Sequence, residues 1–474
     1  MSEPDRTGPK LDHARGRRYG AAMRRAWAVL LVVAATAATP RLARAADVTD
    51  VASAFDEDNP FDVRFRVGYV HSEKRGQIKR ELEGLSSSQT AIAVLRDLTY
   101  AQTRDVLSLR AEVGLFQDLM LHVELPIYLN EQERYSYDQS AGAACRFTPD
   151  PMPDCVNAMN SSTIRDGIIG APPMGTLVFL GAARGAGAGS GLDDFDTFNF
   201  GLTWAPVAQH RDDTKPTWIL AFEPQISIGN IMAYDRARPN ANHAVSEGVH
   251  RLVARTAISH RWRFVEPYMA FWYMYPIPRS DSLFKDYGPS QSLKNPMQQG
   301  GTIFGAELVP FERPKDGHKI FIDVRGRLEG HFAGKGYSEA WELFASSTPL
   351  ACDAATQGGT NPACNAALTT NAYQNMPFTG ITTIQNYASL GADIGIGVQV
   401  GQHARFKTSF EYTHDEAHDI TGEDIGVPST AGGRMMSAGE YNPAYRATID
   451  QIGRRYRVDN MDTYNFTVWG QIQF

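Results

Sequence analysis

The chain has 474 residues, of which 46 are Lys or Arg and 53 are Asp or Glu, giving a formal charge of −7. An acidic chain lacks the positive surface by which proteins hold nucleic acid, so nucleic acid is excluded as a partner. This length would ordinarily suggest two or three soluble domains, but no linker divides the chain into differently composed halves.

Residues 1–45 are predicted to be a cleaved secretory signal peptide. Arg24 and Arg25 precede an apolar run over residues 26–38, and Ala43-Arg44-Ala45 forms a small-x-small cleavage pattern. The apolar run has 13 residues, whereas a membrane-spanning helix needs about 20, and no later segment is longer. A membrane protein with this sequence must therefore cross with strands.

Cleavage after Ala45 would remove nine basic and three acidic residues, taking the formal charge to −13. The stretch before Met23 is unusually long for a signal peptide, so translation starts at either Met1 or Met23. Residues 46–60 are predicted to form a periplasmic N-terminal segment, and residues 61–474 are predicted to form one membrane domain.

Within that domain, twelve segments alternate apolar and polar side chains over the 9–11 residues that a tilted membrane strand needs. We therefore predict an all-β fold, a transmembrane antiparallel up-and-down β-barrel of about 12 strands. In segments 250–260 and 264–275, Trp272 and Met274 interrupt the alternation of apolar and polar residues. Which side chains of these two strands face the lumen and which face the lipid is therefore left open. The segments begin near Phe61, Leu107, Leu119, Phe198, Trp218, His250, Phe264, Thr302, Ile320, Leu390, Arg405 and Tyr464.

The connections alternate between short and long, as in outer-membrane barrels with both termini in the periplasm. The short ones follow even-numbered strands, at 116–118, 209–215, 261–263, 313–317 and 401–403. The longest follow odd-numbered strands and are predicted to be extracellular, at 139–192, 334–385 and 420–456. A soluble β-sandwich is the alternative, but clustered mixed charge on the polar faces fits a wet lumen better.

The last strand places Tyr464, Phe466, Ile472 and Phe474 on one apolar face and ends the sequence on an aromatic residue. This pattern is typical of the signal that the barrel-assembly machinery reads. It predicts the outer membrane of a Gram-negative bacterium as the location, with membrane lipid and lipopolysaccharide as neighbours.

The lumen-facing positions carry charges of both signs. They favour either a polar conduit for small solutes or a network of interlocked ion pairs that fills a narrow barrel. The candidates are Arg64, Arg66, Arg110, Glu112, Glu124, Glu223, Arg251, Arg255, Asp323, Arg325, Arg327, Glu329, Asp393, Lys407 and Glu411.

The four cysteines occur as two local pairs, Cys145 with Cys155 and Cys352 with Cys364. In an oxidising compartment this spacing predicts two disulfides, each within one loop, and it matches no zinc site. Free thiols are the alternative.

Other chemical motifs are weak. His414 and His418 lie four residues apart at the end of a strand and form a poor candidate for a metal site. The Gly-rich stretch 181–191 resembles a surface loop more than a phosphate-binding turn. No nucleophile motif of the Gly-x-Ser-x-Gly type occurs, so we predict no enzymatic activity, no catalytic residue and no cofactor.

The block from Leu109 to Tyr128, followed by residues 198–204, resembles strand-turn-strand units of outer-membrane proteins associated with meta-pathway phenol degradation. The resemblance implies a barrel for uptake of hydrophobic or aromatic compounds, and the long Cys-bearing loops depart from it. We therefore expect passive or facilitated passage of small molecules across the outer membrane. The alternative is a non-conducting surface barrel that acts as an adhesin or scaffold.

Overall fold

The computed structural model describes most of the chain from Ala46 onward. The described residues are 46–55, 62–82, 92–138, 179–346 and 379–424, with gaps at 187, 190, 236, 239–240, 287–290 and 314–315, together with 161, 163, 168, 442 and 444–474. The predicted signal peptide and all four cysteines lie outside these residues.

In this described part of the chain, twelve antiparallel strands form a closed up-and-down barrel, which confirms the predicted fold. Each strand pairs with the next one along the chain, and the first pairs with the last. The strands are β1 (Val63–Leu82), β2 (Ala93–Phe116), β3 (Leu119–Tyr137), β4 (Thr197–Val207), β5 (Thr217–Ser227), β6 (Val249–Ser259), β7 (Val265–Pro278), β8 (Gln299–Arg313), β9 (His318–His331), β10 (Tyr387–Val400), β11 (Ala404–Asp415) and β12 (Tyr456–Gln473).

Closure of the barrel gives the backbone N–H and C=O groups of the edge strands hydrogen-bond partners without water. In lipid, an unpaired edge would leave a row of N–H and C=O groups without partners, so only a sealed barrel can span with strands. The pairing of β1 with β12 runs from Arg64 opposite Gln473 to Arg80 opposite Tyr456. Beyond it, the N–H of Val63 donates to the carbonyl of Phe474 at 3.2 Å, and the Phe474 N–H donates back at 2.9 Å. Among the described residues, no helix has the length and apolarity to cross a membrane.

The two ends of the barrel differ. At one end, here called the turn end, the connections are short, as predicted, and span 117–118, 208–216, 260–264, 314–317 and 401–403. The opposite end, here called the loop end, carries the long connections. Outward side chains between the ends are apolar, with exposed aromatic residues near both rims, as lipid contact requires. Near the turn end these include Phe116, Trp218, Trp262, Phe264 and Phe474, and near the loop end Tyr69, Tyr273, Tyr275, Tyr412 and Tyr464.

Four neighbouring strands extend well beyond the membrane at the loop end. β1, β2, β3 and β12 contain 20, 24, 19 and 18 residues, whereas about 9–11 suffice to cross the membrane. In their outer parts the polarity reverses, because apolar side chains now face inward. Ile78, Leu98, Tyr135 and Val458 are almost fully buried there in one cluster. The extension therefore has a hydrophobic core of its own.

The structure settles the facing of β6 and β7. On β7, Phe271 and Tyr273 are exposed on the outside, whereas Trp272 and Met274 point inward. On β6, Arg251 and the other odd-numbered positions face the interior. The ambiguity in the sequence arose because apolar side chains lie on both faces of β7.

Glycines on β10 make room for large side chains that lie along the wall. Phe321 of β9 is fully buried opposite Gly397, and a Cβ at Gly397 would overlap its ring. A Cβ at Gly391 would lie 2.8 Å from Cγ of Arg327. The glycines on the inner face of β10 are thus required by packing rather than by backbone conformation.

Gly397→Ala is expected to destabilise the barrel, because the added methyl group must displace the buried ring of Phe321; overpacking of this kind costs about 1–3 kcal/mol. Gly330→Ala is the matched control, since its Cβ would meet its nearest neighbour at 3.8 Å. A heat-modifiable gel shift at increasing urea measures the folded fraction. Equal midpoints for the two variants would contradict this packing argument.

Candidate functional site

The N-terminal segment, residues 46–55, lies across the lumen at the turn end and is here called the plug. Ala46 and Val48 pack among inward-facing residues of β4 to β7, including Ile219 and Tyr268. The other end of the plug lies against the β2–β3 turn, where the N–H of Asp118 donates to Ser53 Oγ at 3.1 Å. The predicted periplasmic segment thus has a described part inside the barrel rim.

Two carboxylates of the plug bind cations of the barrel wall. Asp50 lies 3.2 Å from Arg64 on β1 and 3.1 Å from Arg405 on β11. Asp47 lies 3.2 Å from Lys407 and 3.6 Å from Arg405. Burial alone would raise the pKa of Asp47, but Lys407 and Arg405 hold it well below its usual value of 3.8. The plug is therefore held by charge as well as by apolar packing.

The predicted lumen residues on β1 to β3 form a first cluster. Arg64 binds Asp62 at 2.8 Å and lies 3.8 Å from Glu112. Arg110 joins Glu112, at 2.7 Å, to Glu124, at 3.0 Å. The remaining member, Arg66, donates to Gln471 at 2.8 Å and lies over the ring of Trp469.

A second cluster joins β9, β10 and β11. Asp323 binds Arg325 and accepts from Lys407 at 2.7 Å. Arg325 also reaches Asp393 at 3.1 Å, and Tyr268 donates to Asp323 at 2.5 Å. Because Lys407 binds the plug as well, this cluster and the plug form one network.

The other predicted lumen residues also point inward. Arg327 lies 3.4 Å from Glu329 and 3.2 Å from Glu411. Glu223 pairs with His122 at 2.8 Å. Arg255 donates to the carbonyl of Val48 in the plug at 3.1 Å. These contacts pair the predicted lumen charges with one another, with His122 and with the plug.

The loop end is covered from inside by a short helix, α1 (Trp341–Ser346), which packs within the extended strands. Phe344 meets the ring of Tyr456 edge-on, with 5.1 Å between centroids. Glu342 binds Arg184, which is itself buried and lies over the ring of Trp341. The described part of the loop end thus forms a cap with a buried ion pair.

Towards the loop end, the barrel interior contains a partly open cavity of about 510 Å³, here called the chamber. This volume is within the range of small-molecule sites, about 300–1,000 Å³. Apolar and aromatic side chains form much of its lining, including Trp272, Met274, Phe284, Met297, Tyr337 and Tyr387.

Charged residues that border the chamber are paired with one another. Lys74 lies 2.8 Å from Glu339, and Arg251 lies 2.9 Å from Asp196 and 2.7 Å from Glu247. Burial alone would raise the pKa of Glu339, but Lys74 brings it down to about 2. The chamber therefore combines charges that are paired locally with aromatic and thioether side chains, and polar atoms form the larger part of its surface.

A stack of three rings stands at one side of the chamber. Tyr387 lies between His331 and His418, with centroid separations of 4.2 and 3.8 Å and nearly parallel planes. His418 is buried, whereas His414 pairs with Asp462 at 2.8 Å elsewhere on the wall. The two histidines of the weak metal candidate therefore do not converge, and no metal-binding group of three ligands occurs among the described residues.

The sequence pointed to the charged wall but not to its partners or to the chamber. Asp47 and Asp50 lie 360 and 355 residues from Lys407 and Arg405, and a ten-residue segment is too short to show a periodicity. A usable signal was the excess of basic residues near the turn end of β1 and β11, which requires acidic partners.

The fold and the interior together define a transmembrane β-barrel with a plug at its turn end, and with a cap and a partly open chamber at its loop end. No protein-family model matches the chain, and no curated protein matches it.

Solved structures of similar shape include an outer membrane channel of Pseudomonas putida F1, with 9% identity and a TM-score of 0.33 over 86% of this chain and 95% of that chain. A TodX monoaromatic hydrocarbon channel mutant has 7% identity and a TM-score of 0.30 over 88% and 91%. The outer membrane protease OmpT of Escherichia coli has 5% identity and a TM-score of 0.28 over 87% and 96%. At these values the likeness identifies neither a solute nor a reaction.

Acidification is expected to weaken the plug through Asp47. A carboxylate whose pKa is depressed in the folded state contributes stability above its unfolded pKa, about 4, and loses it as the pH falls through the folded value. Asp47→Asn should therefore cost about 1.5–3 kcal/mol at pH 7 and flatten the loss of stability as the pH falls below about 5. Thermal unfolding in detergent measures both effects.

Asp213→Asn, in the exposed connection 208–216, is the control and should follow the wild type. If Asp47→Asn also followed the wild type at every pH, the charge contribution to plug docking would be disproved.

Proposed function

We propose that this protein is an outer-membrane channel for small, uncharged aromatic or amphipathic molecules, and that the described arrangement is its closed state. The turn end would face the periplasm and the loop end the outside. The chamber supports this proposal most directly, because its volume suits a small molecule and its lining combines aromatic side chains with polar groups. The phenol-degradation resemblance implies the same class of solute.

Chamber chemistry favours flat, weakly polar guests. Aromatic pairs gain about 0.5–1.5 kcal/mol beyond area burial, and methionine sulfur adapts to the edges of rings. Trp272, Tyr337 and Tyr387 offer ring faces or edges, and Met274 and Met297 fill the spaces between them. A charged guest would have to displace an existing ion pair such as Lys74 with Glu339.

Passage requires both ends to open. At the turn end the plug is not one of the barrel strands, and it is held by Asp47 and Asp50 together with the apolar packing of Ala46 and Val48, so its release breaks no strand pairing. At the loop end, α1 belongs to a connection between strands and would have to shift within the extension.

One observation favours a second candidate, a non-conducting barrel that serves as a scaffold or adhesin. The described interior is filled at both ends, by the plug and by the α1 cap. A barrel with this interior could display its long loops without ever conducting. Recording and binding experiments separate the two candidates.

Trp272→Ala is expected to weaken binding of phenol to the refolded protein by about tenfold, because a ring contact worth roughly 1.4 kcal/mol is lost from the chamber. Phe271→Ala is the matched control, since the neighbouring side chain on β7 points outward to lipid. Saturation-transfer NMR with a phenol titration measures the affinity. Equal affinities for the two variants, or no phenol binding to the wild type, would contradict the proposed site.

Removing the plug is expected to convert a mostly silent barrel into a conducting one. In planar bilayers, the wild-type mature protein should show rare, small steps, and a variant lacking residues 46–55 should show frequent, larger steps. A heat-modifiable gel shift confirms that the variant has folded. A folded variant that stays silent would favour the scaffold candidate.

A further inference from the structure

Two buried carboxylates stand side by side where the plug begins. Glu266 on β7 lies directly opposite Glu307 on β8, and both are 0% exposed. Like charges in opposing positions on neighbouring strands repel, and burial removes the water that would screen them. Such a pair needs a cation at each member or a proton on one of them.

The barrel wall supplies one cation to this pair. Lys319 binds Glu307 directly. Glu266 accepts from the hydroxyl of Ser259 at 2.7 Å and from the backbone nitrogen of Ala46 at 2.5 Å. Its Oε2 is buried and has no hydrogen-bond partner among the described residues. Arg405, the next cation, is shared between Asp47 and Asp50.

The residue that reaches Glu266 is the one that follows the predicted cleavage pattern Ala43-Arg44-Ala45. In the uncut chain, the nitrogen of Ala46 is an amide with a single N–H and no charge. Hydrolysis of the Ala45–Ala46 bond by a signal peptidase consumes one water and leaves a carboxylate on Ala45 and an α-ammonium group on Ala46. The new group carries a positive charge and three N–H donors.

We propose that Glu266 and Glu307 form a binding site for the α-ammonium group of Ala46, so that cleavage of the signal peptide creates the charge that locks the plug in the barrel. The ammonium donates to Oε1 of Glu266, has a further N–H for the unpartnered Oε2, and balances the second carboxylate of the pair. The N–H of Asp47 lies 3.4 Å from Glu307, which keeps this start of the chain between the two strands.

The site makes docking depend on where the chain is cut. An extra residue before Ala46 would move the positive charge by about 3.5 Å and place an amide against Glu266. The uncut precursor presents the same amide, so its plug lacks the buried ion pair. The barrel would thus distinguish its processed form from its precursor by chemistry at one atom.

The test uses the full mature chain, refolded in detergent after a tag protease has exposed Ala46 as the first residue. An amine-reactive ester at pH 7.5 labels α-amino groups only in their neutral form, and mass spectrometry of the N-terminal peptide gives the rate. The folded wild type is expected to react at least about tenfold more slowly than Glu266→Gln, a ratio equivalent to about 1.4 kcal/mol. Glu312→Gln, on β8 but paired with Arg261, is the control and should react like the wild type.

A second variant tests the proposal independently, in case Glu266→Gln does not fold. A chain with one glycine added before Ala46 leaves the wall unchanged and is also expected to react at least about tenfold faster than the wild type. The proposal is overturned if the wild-type amine reacts as fast as in urea, or if both variants are protected like the wild type. It is also overturned if the protein isolated from bacterial outer membranes begins at a residue other than Ala46.

Discussion

Lipid forbids an unpaired strand edge, and this constraint organises the whole molecule. It forces β1 onto β12, which fixes an interior of defined width. The polar faces of twelve strands point into that interior. Because buried polar groups without hydrogen-bond or ion-pair partners are costly, these side chains need partners inside the barrel. The clusters around Arg64 and Asp323 and the acidic residues of the plug follow from this requirement.

The inner and outer faces of the strands exchange polarity between the membrane-spanning part of the barrel and its extension at the loop end. Within the membrane, apolar side chains face out and charges face in. Above it, the extended parts of β1, β2, β3 and β12 have an inward hydrophobic core that α1 completes. The chamber lies at the boundary between these regimes, which explains its mixed lining of aromatic side chains and paired charges.

Strand number, order and loop parity were predictable from the sequence because lipid enforces period-two alternation over each crossing. Prediction failed where that constraint relaxes. On β7, Trp272 and Met274 line the chamber, so both faces are apolar and the pattern is lost. On β3, a register shift opposite Asp105 and Val106 lets Glu131, Glu133 and Tyr135 face inward, although the odd-numbered positions from Leu119 to Leu129 face outward. The plug escaped prediction because its partners are set by tertiary contact alone.

Asp50 occupies a particular place in this architecture, because its two partners stand on either side of β12. Arg64 belongs to β1 and Arg405 to β11, so a single carboxylate spans the seam where the sheet closes on itself. Coupling between two equilibria is reciprocal. Release of the plug therefore weakens the seam between β1 and β12, and loosening of that seam favours release of the plug. A force or ligand that withdraws the N-terminal segment also lowers the barrier to lateral separation of the first and last strands.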